Sequence, residues 1–259
     1  MNKELKVHVV PVLKDNYTFI IHDSENSNCV VIDPGDAKTV RDYVNKHQLC
    51  LKEIWITHHH SDHQGGAKEL KSMFNASIVG PKNERDKILN IDHEVADMDM
   101  FSFEGHPYKI LDFPGHTLGH IGFWFFDDKC LFSGDTLFSL GCGYLFEGSY
   151  DQMWSSLCKI RSLPEDTLIY CGHEYTLENA KFALSMEPEN EILKKYADSV
   201  QHLRAKNKPT IPVILKNEMY INPFLRADLP FWKKKFHMED EPSVKVFQNL
   251  REQKNKFKD

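Results

Sequence analysis

Apolar residues in the first two thirds of the chain come in short runs. Those at 5–12, 17–21, 29–32, 54–57, 77–79, 108–113, 121–126, 130–133 and 167–170 are rich in β-branched and aromatic residues and bounded by Gly, Pro, Asn or Asp, which reads as strands. Apolar spacing of three and four, the helical signature, covers 37–46, 66–74 and 151–162. The early strands follow one another closely, as hairpins do, while helices separate later ones. Two mixed sheets facing each other with helices outside satisfy both patterns, an α+β arrangement in αββα layers. Beyond residue 175 the pattern becomes helical, at 177–185, 189–206 and 243–256, broken by Lys208-Pro-Thr-Ile-Pro212. These features predict a mixed domain over 1–172 and a helical domain over 173–259.

Composition narrows the function. At 259 residues with 41% hydrophobic and 27% charged positions, the chain can bury a large core. Its net charge of -6 argues against a nucleic-acid partner and leaves any anionic substrate dependent on local basic groups. No apolar run is long enough for a signal peptide or a membrane span. Six scattered cysteines without a C-x-x-C pair suggest small core residues in a reducing compartment. A cytoplasmic monomer that engages no membrane is the expectation.

One segment changes the picture. Thr57-His-His-His-Ser-Asp-His63 places His58, His60, Asp62 and His63 directly after an apolar run. In extended chain His58 and His60 point the same way and His59 the other. Asp62 and His63, where a helical pattern begins, diverge and could serve a second ion beside the first. Three later loops repeat the setting of a strand, a Gly and then a metal-binding residue, in Pro114-Gly-His116, Ser133-Gly-Asp135 and Cys171-Gly-His173. A solvated turn explains any one of these, but not four together.

These blocks resemble the metallo-β-lactamase superfamily. Gly141-Cys-Gly143, Phe146-Glu-Gly148, Cys171-Gly-His-Glu-Tyr-Thr176 and Asn222-Pro-Phe-Leu-Arg226 narrow the resemblance to its hydroxyacylglutathione hydrolase (glyoxalase II) family, over nearly the whole chain. The resemblance implies a four-layer sandwich of two mixed sheets flanked by helices, followed by a C-terminal helical domain. It implies two divalent metal ions per chain, one on His58, His60 and His116, the other on Asp62, His63 and His173, with Asp135 bridging them. Imidazole and carboxylate ligands without thiolate suit Zn, Fe or Mn, with Zn first. His59 and His120 match positions that are not ligands, and Asp33 resembles a structural strand-end residue.

The implied activity is hydrolysis of S-(2-hydroxyacyl)glutathione, S-D-lactoylglutathione in particular, to glutathione and D-lactate by a hydroxide held between the ions, as the second step of methylglyoxal detoxification. Asp62 is the candidate to orient that hydroxide. Arg251 and Lys254, three apart on one helical face, match glutathione-carboxylate ligands, and Tyr175 matches a residue on the glutathione backbone. Tyr144 stands where the family usually has Lys or Arg, and Phe146 where part of it has Tyr. The alternative on the same fold is a mononuclear-iron glutathione persulfide dioxygenase, against which the helical tail weighs.

Overall fold

The computed structural model describes residues 3–258, and among them two six-stranded mixed sheets form. The first sheet runs in chain order through β1 (Leu5–Val12), β2 (Asn16–Asp23), β3 (Asn28–Ile32), β4 (Cys50–Trp55), β5 (Ser77–Pro81) and β6 (His93–Val95). Its first three strands pair antiparallel and the rest parallel. Parallel neighbours need crossovers, and α1 (Ala37–Lys46) joins β3 to β4 while α2 (Ser61–Gln64) and α3 (Ala67–Phe74) join β4 to β5. After β7 (Met100–Phe103), β8 (His106–Asp112), β9 (Ile121–Phe125) and β10 (Cys130–Gly134) come a small hairpin, β11 (Leu137–Phe138) and β12 (Gly141–Cys142), then α4 (Tyr150–Arg161), β13 (Leu168–Cys171) and, further on, β14 (Val213–Ile214). The second sheet has the order β14-β13-β10-β9-β8-β7.

Strand periodicity sets the layers. Phe19 and Ile21 of β2 and Val30 and Ile32 of β3 point between the sheets, while Ile20, Cys29 and Val31 point outward beneath α1 and α3. Such strands are buried on both faces, which is why they read as continuous apolar runs. Between the sheets Trp55 stacks on Phe123 at 4.8 Å and Phe19 meets Phe132 at 5.2 Å. Ser149 and Gln152 form a capping box that starts α4, whose Met153, Leu157 and Ile160 cover the second sheet.

The C-terminal part contains α5 (Thr176–Met186), α6 (Glu191–Ala205), α7 (Leu215–Ile221), α8 (Pro230–Lys235) and α9 (Ser243–Lys256). It is not wholly helical, because β14 extends the second sheet through Leu168↔Ile214 and Ile169↔Val213. Phe224, Trp232, Phe247 and Leu250 join the same core cluster as Phe132 and Ile169. The strand expected at 54–57 begins earlier, at Cys50, and stops at Trp55, so that Thr57 to His60 lie in a loop.

Candidate metal centre

Five strand ends converge. Asp33 follows β3, His58 to His63 follow β4, His116 follows β8, Asp135 follows β10 and His173 follows β13. Backbone hydrogen bonds fasten the two sheets to each other here, Tyr17 N to Gly172 O at 2.8 Å and Ile121 N to Thr57 O at 3.0 Å, and Gly172 N to Gly134 O at 2.9 Å ties the ends of β13 and β10 within the second sheet. Two glycines make the convergence sterically possible. Gly134 adopts a left-handed φ of 49°, and a Cβ there would lie 2.6 Å from His120 Nε2; at Gly172 it would lie 2.4 Å from Asp135 Oδ1.

The structure brings all seven expected ligands together, in two groups. His60 Nδ1 is 3.1 Å from His58 Nε2 and 3.0 Å from His116 Nε2. His173 Nε2 is 3.3 Å from His63 Nε2 and 3.4 Å from Asp62 Oδ2. Asp135 stands between the groups, with Oδ2 3.4 Å from His116 Nε2 and 3.3 Å from His173 Nε2, and Oδ1 3.4 Å from His63 Nε2. Ligand atoms about 2.0–2.1 Å from a tetrahedral ion stand about 3.3 Å apart, so these spacings fit divalent ions.

Proton placement gives the same answer. His116 Nδ1 donates to Tyr144 O at 2.7 Å, His63 Nδ1 to Asp33 Oδ2 at 3.0 Å and His173 Nδ1 to Asp15 Oδ1 at 2.9 Å. Each leaves its Nε2 aimed inward, the arrangement of metal-binding imidazoles. Among the described residues Asp135 Oδ1 is buried without a hydrogen-bond partner, which suits an oxygen that binds a cation. Burial lowers the pKa of His58, His60 and His116, which keeps them neutral. Burial also opposes charge on His173, yet Asp135 and Asp62 outweigh it and raise its pKa to about 10. The carboxylates thus hold positive charge at this spot, as protons until metal displaces them.

Sequence reasoning missed part of the support. Asp15 and Asn16, at the start of β2, hold His173 and Asp62, Asn16 Nδ2 donating to Asp62 Oδ2 at 2.8 Å. His120 Nε2 accepts the Asp135 N–H at 3.0 Å. Asp33, read as structural, accepts from both Thr57 N at 2.8 Å and Thr57 Oγ1 at 2.7 Å in addition to His63. Asp15 and Asn16 carry no sequence signal beyond their place at the edge of a strand, whereas His120 and Asp33 stand in motifs that already assigned them a supporting role.

Residues 11–173 match the metallo-β-lactamase superfamily and residues 174–257 match the C-terminal region of hydroxyacylglutathione hydrolase. A protein of Vibrio vulnificus (strain YJ016) named hydroxyacylglutathione hydrolase 2 is 46% identical over 256 residues, covering 98% of this chain and 100% of that one. The chain belongs to the hydroxyacylglutathione hydrolase family. Hydroxyacylglutathione hydrolase of Pelagibacter ubique (strain HTCC1062) is a further relative, 47% identical over 86% of this chain and 93% of its own. The fold is shared with the BLEG-1 B3 metallo-β-lactamase, at a TM-score of 0.67, 21% identity and coverage of 85% of this chain and 99% of that one. It is shared equally with ETHE1 from Myxococcus xanthus, at a TM-score of 0.64, 23% identity and coverage of 97% of each chain.

In this member of the hydroxyacylglutathione hydrolase family His60, Asp62, His116, Asp135 and His173 floor a cavity of about 450 Å³ with an aromatic wall of Phe138, Tyr144, Phe146 and Tyr175. Tyr175 stacks on His173 at 4.6 Å, and Tyr144 packs on Phe146 at 4.8 Å with both rings largely exposed. Arg251 and Lys254 lie on α9 and do not line the cavity. Arg251 is buried, with one guanidinium nitrogen on Cys142 O at 2.8 Å and Nε on Asn255 Oδ1 at 3.0 Å. Lys254 Nζ reaches Glu178 O at 3.1 Å. No helix among the described residues is long and apolar enough to cross a membrane.

Proposed function

We propose that the chain hydrolyses S-(2-hydroxyacyl)glutathione thioesters, S-D-lactoylglutathione foremost, releasing glutathione and D-lactate and so completing methylglyoxal detoxification. The observation that carries this reading is the pair of adjacent ligand groups around Asp135, opening into an aromatic-walled cavity. His58, His60 and His116 would hold one divalent ion, Asp62, His63 and His173 the other, and Asp135 both, with zinc the first choice and iron or manganese next. Two ions there would bring the pKa of a water down to about 7 and polarise the acyl carbonyl.

The chain's own residues do the rest. Asp62, held by Asn16, is placed to orient the attacking water or accept its proton. The leaving thiolate has a conjugate acid of pKa about 8.5, so the site needs no strong general acid. Phe138, Tyr144, Phe146 and Tyr175 shield the acyl group from water, Tyr175 also meeting the glutathione backbone. Of the two α9 cations expected on the glutathione carboxylates, Lys254 would take that role, while Arg251, buried against Cys142 O, would brace the loop that carries Tyr144. On this reading residues 1–172 carry catalysis and 173–259 substrate binding, with His173 contributed from the second part. The chain would act as a cytoplasmic monomer without nucleic-acid or membrane partners, which its free cysteines and negative charge support.

The mononuclear dioxygenase alternative is not favoured, because it leaves Asp62, His63 and His173 without a purpose. The discriminating experiment supplies S-D-lactoylglutathione and glutathione persulfide in parallel. Stoichiometric free thiol from the thioester supports the proposal; oxygen consumption with the persulfide and no thiol release overturns it.

A further inference from the structure

His59 lies between two proposed ligands in sequence but turns away from them. Its backbone N–H donates to Glu84 Oε2 at 2.6 Å and its ring Nδ1 to the same oxygen at 2.9 Å. The other oxygen of Glu84 accepts the Gly119 N–H at 3.1 Å and the Thr117 hydroxyl. Glu84 is only 2% exposed and sits in a short 3-10 turn after β5. One buried carboxylate therefore grips both the loop of His58 and His60 and the loop of His116. Glu147 adds an outer pin: Oε2 accepts the Leu118 N–H at 3.0 Å, while Oε1 takes Lys87 Nζ at 2.6 Å and faces His59 Nε2 at 3.5 Å. Glu147 adjoins Phe146, whose N–H reaches His116 O at 3.2 Å.

His59, Glu84 and Glu147 are spaced as a third ion site would be. The hydrogen bonds exclude that use, since each Glu84 oxygen already accepts two donors and Lys87 balances Glu147. We propose instead that Glu84, through His59 and Thr117, is the positioning residue for the ion held by His58, His60 and His116, with Glu147 supporting it. The inference rests on the dinuclear reading above. The second ligand group depends on Asp33, Asp15 and Asn16, not on Glu84. The effect of losing the clamp is therefore confined to one ion.

Glu84→Gln tests this with little change of shape. Its amide oxygen can serve His59, but its NH₂ then faces the Gly119 N–H, which cannot accept, and the His116 loop is released. Partners of this kind change metal affinity about 10- to 100-fold. With the enzyme loaded and then titrated with a chelator, metal content and the cobalt(II) absorption spectrum should show one ion lost from Glu84→Gln at about 10- to 100-fold lower chelator than from the parent, the second ion being retained as before. Turnover should fall in kcat with KM unchanged and recover with added metal. Retention of both ions at parental affinity overturns the proposal, as does equal weakening of both with a lowered melting temperature. Glu147→Gln, at a partly exposed position, should show the same selective loss in smaller measure, and its absence counts against the clamp even if Glu84→Gln does not fold. Absence of thioester turnover in the parent would sink the functional reading alone, because metal retention is read independently of substrate.

Discussion

Asp33 Oδ2 lies 3.0 Å from His63 Nδ1, both groups are buried, and Asp33 holds a left-handed φ of 52° to place its carboxylate there. Asp tolerates that backbone better than most residues. Asp33→Asn would turn an NH₂ toward either Thr57 or His63, both donors here. Affinity for the second ion should drop about 10- to 100-fold, and for the first by less, because Asp33 reaches His58 only through the Thr57 hydroxyl. Metal content after graded chelation checks this, and equal loss of both ions would contradict it.

Tyr144 occupies the cavity rim where the resembling family usually carries a cation, and at 49% exposure it has room for a longer side chain. A missing charge-assisted hydrogen bond costs about 1.5 to 3 kcal/mol, roughly ten- to a hundred-fold in affinity. Tyr144→Arg should lower KM for S-D-lactoylglutathione by up to that factor while kcat holds. An unchanged or higher KM would show that no cation contact is missing at this position.

Glu218 makes stability depend on pH at a distance from the metal groups. It is fully buried on α7, where Leu140 N donates to it at 2.7 Å, Asn222 Nδ2 at 3.0 Å and Ser139 Oγ at 3.1 Å. Burial pushes its pKa up to about 7 against that stabilisation. A raised folded pKa binds the proton more tightly than the unfolded chain does, so the contribution is full below about pH 4.5 and declines as pH rises to about 7, by about 3 kcal/mol in all. Glu218→Gln, whose amide oxygen can accept from Leu140 and Asn222, should gain on the parent by about that amount between pH 4.5 and pH 8. Urea unfolding of both metal-loaded proteins measures it, and parallel profiles would refute it.

Chelation should destabilise the whole sandwich, because loops from both sheets share the ions. A ligand present at 1,000 times its Kd adds about 4 kcal/mol to the folded state. Thermal unfolding with and without a chelator should differ accordingly, and an unchanged melting temperature would argue against structural coupling of the site.

Strand content was legible wherever burial on both faces made a continuous apolar run, as in β2, β3 and β10. It was illegible in β6, β7 and β14, which are short and in which only Val95, Phe103 and Val213 are buried. The metal groups could be read because their residue types cluster beside glycines at strand ends. Glu84 could not, because it sits 25 residues from His59 and only the fold makes them neighbours. In sequence Arg251 matches a substrate ligand, and its contact with Cys142, 109 residues away, has no local signal.

Titration of metal-free protein with zinc, following thiol release from S-D-lactoylglutathione at each equivalent, decides whether the chain works as a dinuclear thioester hydrolase. Turnover should rise until two ions per chain are bound and then level off, with one glutathione released per thioester consumed. Full activity at one ion per chain, or two bound ions without thiol release, would contradict it.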